Sequence, residues 1–118
     1  MRRQPPQDQL PPIERSGEAR DLIRGDVLFH EGDVPDRLFV VVSGRIAIAS
    51  KSIDGRESVY ALMETGNLFG EMGLLDNLPR SAEARALEPS RALAIPYGPV
   101  RDLLDRQPAR LWNVVRML

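Results

Sequence analysis

The sequence predicts a mainly β domain, a sandwich or barrel of short strands, with helices at its C-terminal end. Three observations carry that reading. From residue 25 onward, short apolar or alternating runs recur between glycines. Asp54-Gly55 stands between two of those runs, where a hairpin would turn. After Pro96 the apolar period lengthens from about two residues to about 3.6, the change from strand to helix.

Residues 1–24 hold four of the ten prolines, Pro5, Pro6, Pro11 and Pro12, and few large apolar side chains. Paired prolines resist helix and sheet alike, so residues 1–15 read as an extended tail. Residues 14–23 read as one or two weak helical turns that Gly25 ends. Strands are expected at 26–29, 38–42, 45–50, 58–63, 67–69, 82–87 and 92–96, with Gly25, Gly32, Gly44, Gly55, Gly66 and Gly70 between or beside them. Ile46 and Ile48 fall on one face of their strand. Asp54-Gly55 suits a tight turn because both residues tolerate positive φ, and the returning strand then sets Val59 and Tyr60 against Ile46 and Ile48. Val100, Leu103, Leu104, Leu111, Val114, Val115 and Leu118 follow the spacing of one helix face. Pro99 and Pro108 each suit a first helical turn, where the missing N–H is no loss, so two helices are expected, 99–106 and 108–118. The plan is a tail with a weak helical lead-in over 1–24, a β domain over 25–98, and C-terminal helices over 99–118.

Composition narrows the function. At 118 residues with 42% apolar content the chain suits one globular core. No apolar run exceeds the five residues of Leu38 to Val42, far short of the roughly 20 a membrane-spanning helix needs. The N-terminus lacks the apolar stretch of a secretory signal. Sixteen basic against 17 acidic residues give a net charge of -1, without the basic excess of a phosphate-gripping nucleic-acid module. The absence of cysteine removes disulfides, thiolate metal sites and cysteine nucleophiles, and fits a cytoplasmic protein. With His30 as the one histidine, a cupin-like metal enzyme lacks its ligands. His30 reads as a surface residue, and neither a metal site nor a catalytic residue is expected.

One stretch carries chemistry, from Phe69 to Ala82. Gly70 and Gly73 remove side chains where a ligand could approach the backbone. Residues 71–75 suit a short helical turn whose first N–H groups attract an anion. Arg80 offers a permanent planar cation suited to a phosphate, and Ser81 a hydroxyl beside it. Glu71, acceptor-only when ionised, suits sugar hydroxyls. Amides, guanidinium and hydroxyl for a phosphate, with a carboxylate for a ribose, describe a nucleotide pocket.

Gly70-Glu71-Met72-Gly73-Leu74-Leu75 followed by Pro79-Arg80-Ser81-Ala82 resembles the phosphate-binding cassette of cyclic nucleotide-binding domains. Within that family it is most similar to the bacterial catabolite-activator (Crp/Fnr) branch. The lead-in Arg24-Gly25-Asp26-Val27-Leu28-Phe29, Glu31-Gly32-Asp33, the run Leu38 to Arg45 and the turn Asp54-Gly55-Arg56-Glu57 match as well, so the resemblance spans about residues 24–118. It implies a double-stranded β-helix (β-roll or jelly roll) with C-terminal helices. It implies that Glu71 holds the ribose 2′-hydroxyl and Arg80 the cyclic phosphate. Ser81 and the amides of Gly70, Ser81 and Ala82 would complete the cradle, with Met72 near the base and Leu62 in an apolar wall. Serine at position 81 goes with cyclic AMP more often than with cyclic GMP.

The family's transcriptional members continue the last helix into an adenine-contacting lid, a dimer coiled coil and a helix-turn-helix. Those features lie past Leu118, so no DNA-binding module is expected within these residues. Trp112 and Met117 lie off the apolar stripe of 108–118, and a helix apolar on more than one face suits pairing with its counterpart in a homodimer. The expected function is a cyclic nucleotide sensor from a Crp/Fnr-type transcription regulator. Alternatives are a ligand-free structural β-roll, or the regulatory domain of a larger enzyme or transporter. At the site itself the bland alternative is that Arg80 and Glu71 form a surface ion pair worth about 0–1 kcal/mol.

Overall fold

The computed structural model describes residues 17–106. Eight strands precede and surround one short helix, and a longer helix ends the described chain. The strands are β1 (Glu18–Leu22), β2 (Val27–Phe29), β3 (Arg37–Ser43), β4 (Ile46–Lys51), β5 (Glu57–Met63), β6 (Leu68–Phe69), β7 (Glu83–Ala86) and β8 (Ser90–Pro96). The helices are α1 (Met72–Asp76), between β6 and β7, and α2 (Tyr97–Arg106), directly after β8. Two antiparallel four-stranded sheets face each other, ordered β1-β8-β3-β6 and β2-β7-β4-β5. This is the expected mainly β roll, with all seven anticipated strands in place.

The apolar run Leu38 to Val42 explains itself in β3. Phe39 and Val41 point between the sheets, into a core with Ile46, Phe69, Ala84, Ala92 and Ala94. Leu38 points to the other side, into a second cluster with Leu68, Ile95, Tyr97 and Val100 of α2. A strand covered on both faces reads as a continuous apolar run and loses its alternation. All three phenylalanines meet in the inner core, with ring centroids 5.4 Å apart for Phe39 and Phe69, and 5.7 Å for Phe29 and Phe39.

Three expectations are corrected. Residues 18–22 form β1 rather than a helical turn, because backbone pairing with β8 overrides the local helix preference of Glu-Ala-Arg; Asp21 lies opposite Arg91 and forms an ion pair with it at 2.8 Å. The hairpin after β4 is longer than a two-residue turn. Ser52 N–H donates to Arg56 O, Gly55 N–H donates to Ser52 O, and Gly55 takes φ +84°, which places three residues in the loop and the glycine at its left-handed position. The register across the hairpin also differs. Ile46 pairs with Met63 and Ile48 with Ala61, whereas Val59 pairs with Ala49, so Tyr60 is the extra residue of a bulge. At the C-terminal end α2 starts at Tyr97 and keeps Pro99 in its first turn. The tail over 1–15 and the helix expected at 108–118 lie outside the described residues. Among the described residues no helix is long and apolar enough to cross a membrane.

Candidate functional site

Gly70 to Ala82 folds as a compact loop around α1, between β6 and β7. Gly70 adopts φ +79°, and a Cβ there would lie 3.1 Å from Arg80 Nη1 and 3.2 Å from Phe39 Cδ2. Glycine is therefore required both for the turn and for the approach of the guanidinium. Glu71 sits at the N-cap of α1, and Asn77 closes the helix in the left-handed conformation with its N–H on Gly73 O at 3.0 Å. Gly73 serves packing more than ligand access. A Cβ at Gly73 would overlap Pro35, which is buried, and reach 2.9 Å from the Tyr97 hydroxyl.

Arg80 is held from both sides. Its backbone N–H donates to Asp33 O at 2.9 Å, and its carbonyl accepts from Gly32 N–H at 2.7 Å, pinning the loop to the turn between β2 and β3. The side chain is 8% exposed, and among the described residues it is the one buried ionised group. Nη1 donates to Gly70 O at 2.7 Å and to the Tyr97 hydroxyl at 3.3 Å, while Nη2 donates to Arg37 O at 2.5 Å. The guanidinium carbon lies 4.2 Å from the centroid of Phe29, within cation–π range. Every one of these partners is neutral. Among the described residues no carboxylate lies within ion-pair distance of Arg80. The surface ion pair with Glu71 is thereby removed as a reading. A buried cation without a counter-ion carries an uncompensated desolvation cost of several kcal/mol by general experience, so the loop is electrostatically prepared for an anion.

Above it opens a cleft of about 290 Å³, near the lower end of the roughly 300–1,000 Å³ usual for small-molecule sites. Gly70, Glu71, Met72, Arg80, Ser81 and Ala82 all line it. Glu71 is half-buried and its carboxylate has no hydrogen bond or ion pair among the described residues. The Ser81 hydroxyl is exposed and likewise unpartnered among the described residues. Met72 is 60% exposed at the rim. Leu62 is not brought into the cleft. It pairs with Ala47, which on its other side pairs with Arg85, so Leu62 occupies the outer face of its sheet; Met63 and Ile48 supply the apolar wall instead.

Sequence reasoning missed three contributors. Phe29 lies under the guanidinium, the Arg37 carbonyl anchors its tip, and Tyr97 bonds both the cassette and Arg80. A tyrosine at a strand–helix junction was the one available signal, since a buried phenol normally finds a polar partner. Burial raises the Tyr97 pKa above the ordinary tyrosine value and Arg80 opposes that shift, so the hydroxyl stays protonated at neutral pH.

The family model described as "Cyclic nucleotide-binding domain" matches residues 19–107. The chain belongs to the cyclic nucleotide-binding domain family. It is 31% identical over 98 residues to the "CRP-like cAMP-activated global transcriptional regulator" of Mycobacterium tuberculosis, covering 83% of this chain and 44% of that protein. It is 36% identical over 95 residues to the "Cyclic AMP receptor protein" of Thermus thermophilus, covering 80% of this chain and 44% of that protein. The crystal structure of the Thermus thermophilus catabolite activator protein superposes with a TM-score of 0.76 at 32% identity, over 92% of this chain and 54% of that one. The chain thus spans less than half the length of these curated relatives.

Proposed function

We propose that this domain binds cyclic AMP in preference to cyclic GMP and serves as the sensor of a Crp/Fnr-type transcription regulator. The observation that carries the proposal is Arg80, buried at the cleft with neutral partners alone. A cyclic phosphate there would supply the missing negative charge, with Ser81 and the amides of Gly70, Ser81 and Ala82 as further donors. Glu71, unpaired in the same cleft, would accept from the ribose 2′-hydroxyl, and Met72 at the rim would meet the base. The mycobacterial and Thermus relatives, both named for cyclic AMP, support that choice of ligand, as does serine at position 81.

The energies suffice. Micromolar affinity corresponds to about -8 kcal/mol. Charge-assisted hydrogen bonds contribute about 1.5–3 kcal/mol each, so Arg80 and Glu71 together supply a large share. The groups present suit recognition without turnover, and we assign no enzymatic reaction to the domain. Occupancy would act by shifting the population of α2 arrangements, to the extent that the ligand binds one arrangement better than another. We further infer a cytoplasmic setting and a homodimer formed through the C-terminal helix. Thermal shift of the 118-residue chain with cyclic AMP, cyclic GMP and 5′-AMP tests the assignment. Stabilisation by the cyclic forms alone supports it, strongest with cyclic AMP, and no stabilisation by any of them contradicts it.

A further inference from the structure

We propose that Tyr97 is a positioning residue of the anion site, whose hydroxyl orients the Arg80 guanidinium and ties it to the first turn of α2. Tyr97 is 3% exposed, with its ring in the apolar cluster of Leu38, Leu68, Ile95 and Val100. Its backbone N–H donates to Asp36 O at 3.0 Å, which fixes the start of the helix to the loop before β3. The hydroxyl therefore has little freedom, and it lands where the cassette and Arg80 converge. It donates to Gly70 O and accepts from Arg80 Nη1 at 3.3 Å. It also stands beside the bare backbone of Gly73 at the start of α1, where an added Cβ would lie 2.9 Å away.

The donor inventory gives this contact a consequence. Gly70 O and the Tyr97 hydroxyl, bonded to each other, converge on Nη1, and Arg37 O takes one hydrogen of Nη2. Nε–H and the second Nη2–H remain, and a guanidinium grips a phosphate bidentately through two such parallel donors. Gly70 and Arg37 hold the fork by backbone carbonyls at two points, and Tyr97 braces the first of them, donating to Gly70 O and accepting from Nη1. Because this brace belongs to α2, displacement of the helix start changes the presentation of the fork. By linkage, an anion that favours one presentation favours one helix position by the same factor. Tyr97 would thus connect a bound phosphate to the helix through two hydrogen bonds, with Arg80 as the single residue between them.

The test is a double-mutant cycle on the 118-residue chain with Tyr97→Phe and Arg80→Lys, read by calorimetry with cyclic AMP and by melting of the ligand-free protein. Phenylalanine keeps the ring in its cluster and removes only the hydroxyl. Of the two hydrogen bonds this removes, the one to Arg80 bears on the anion site, and its loss predicts about a two- to tenfold loss of affinity in Tyr97→Phe. In the Arg80→Lys background the same change should move affinity less than about twofold, because Tyr97 acts through the fork that lysine lacks. A role in packing alone gives equal losses in both backgrounds and overturns the proposal, as does unchanged affinity in Tyr97→Phe. The proposal rests on the cyclic nucleotide reading only for its ligand. If the unaltered chain binds no cyclic nucleotide, that reading fails and the ligand-free melting decides the positioning role. Non-additive shifts of the two variants then uphold the Tyr97–Arg80 contact, and additive shifts reject it.

Discussion

Gly73 and Pro35 approach so closely that no methyl group fits between them: a Cβ on Gly73 would lie 2.3 Å from Pro35 Cβ and 2.4 Å from its Cγ. The proline ring is rigid and buried, so α1 would have to move away. Gly73→Ala should lower the melting temperature, with overpacking costing about 1–3 kcal/mol. It should also weaken cyclic nucleotide binding, because α1 carries Met72 at the rim and begins at Glu71. Melting and calorimetry on one preparation check both effects, and an alanine variant of unchanged stability would show that α1 does not seat on Pro35.

Leu62 and Met63 provide a contrast between neighbours. The register places Met63 opposite Ile46, on the inner face, and Leu62 opposite Ala47, on the outer face. Met63→Ala should weaken ligand binding by several-fold through loss of apolar wall, and Leu62→Ala should leave it within about twofold. The reverse order in calorimetry would mean that the hairpin is out of register by one residue.

That contrast also marks where the sequence stops being informative. Seven strands were legible because glycines and alternating apolar residues punctuate them locally. β1 was not, since Glu-Ala-Arg favours a helix on its own and becomes a strand only when β8 lies alongside. The bulge at Tyr60 shifts the hairpin register, and nothing in the run Ser58 to Met63 announces it. Of the site, Gly70, Glu71, Met72, Arg80, Ser81 and Ala82 were legible as one contiguous segment. Phe29, Arg37 and Tyr97 reach Arg80 from distant parts of the chain, 51, 43 and 17 residues away by numbering, so only folding reveals them. The burial of Arg80 was equally hidden, because arginine beside proline and serine reads as surface.

Glu71 and Arg80 should fail differently when altered. Glu71→Gln removes a charge whose carboxylate has no partner among the described residues, so the ligand-free protein should melt within a few degrees of the unaltered one. Its affinity for cyclic AMP should fall by about tenfold or more, through loss of a charged acceptor for the ribose hydroxyl. Arg80→Ala removes donors from Gly70, Arg37 and Tyr97 and should lower stability as well as affinity. Equal melting losses in the two variants would contradict the observed difference in their surroundings.

Tyr97 gives the protein an alkaline limit. Burial raises its pKa above the ordinary value of 10.0, with Glu71 and Asp36 adding to the rise and the Arg80 charge opposing it. As pH climbs past the unfolded value, the unfolded chain releases the phenolic proton while the folded chain keeps it. Stability is therefore full below about pH 10 and falls as pH rises toward the folded pKa. Tyr97→Phe should remove that component, so the difference in melting temperature between the two proteins should shrink as pH passes 10. A difference independent of pH would mean that the phenol ionises as freely in the fold as in water.

The most direct measurement is calorimetric titration of cyclic AMP into the unaltered chain and into Arg80→Lys, which keeps the charge and loses the fork. The account predicts saturable one-to-one binding to the unaltered chain and at least tenfold weaker binding to the lysine variant, with both proteins folded. Equal affinities would show that the buried guanidinium is not what holds the phosphate. Absence of heat in both, with folding intact, would leave a cyclic nucleotide-binding fold that binds no cyclic nucleotide.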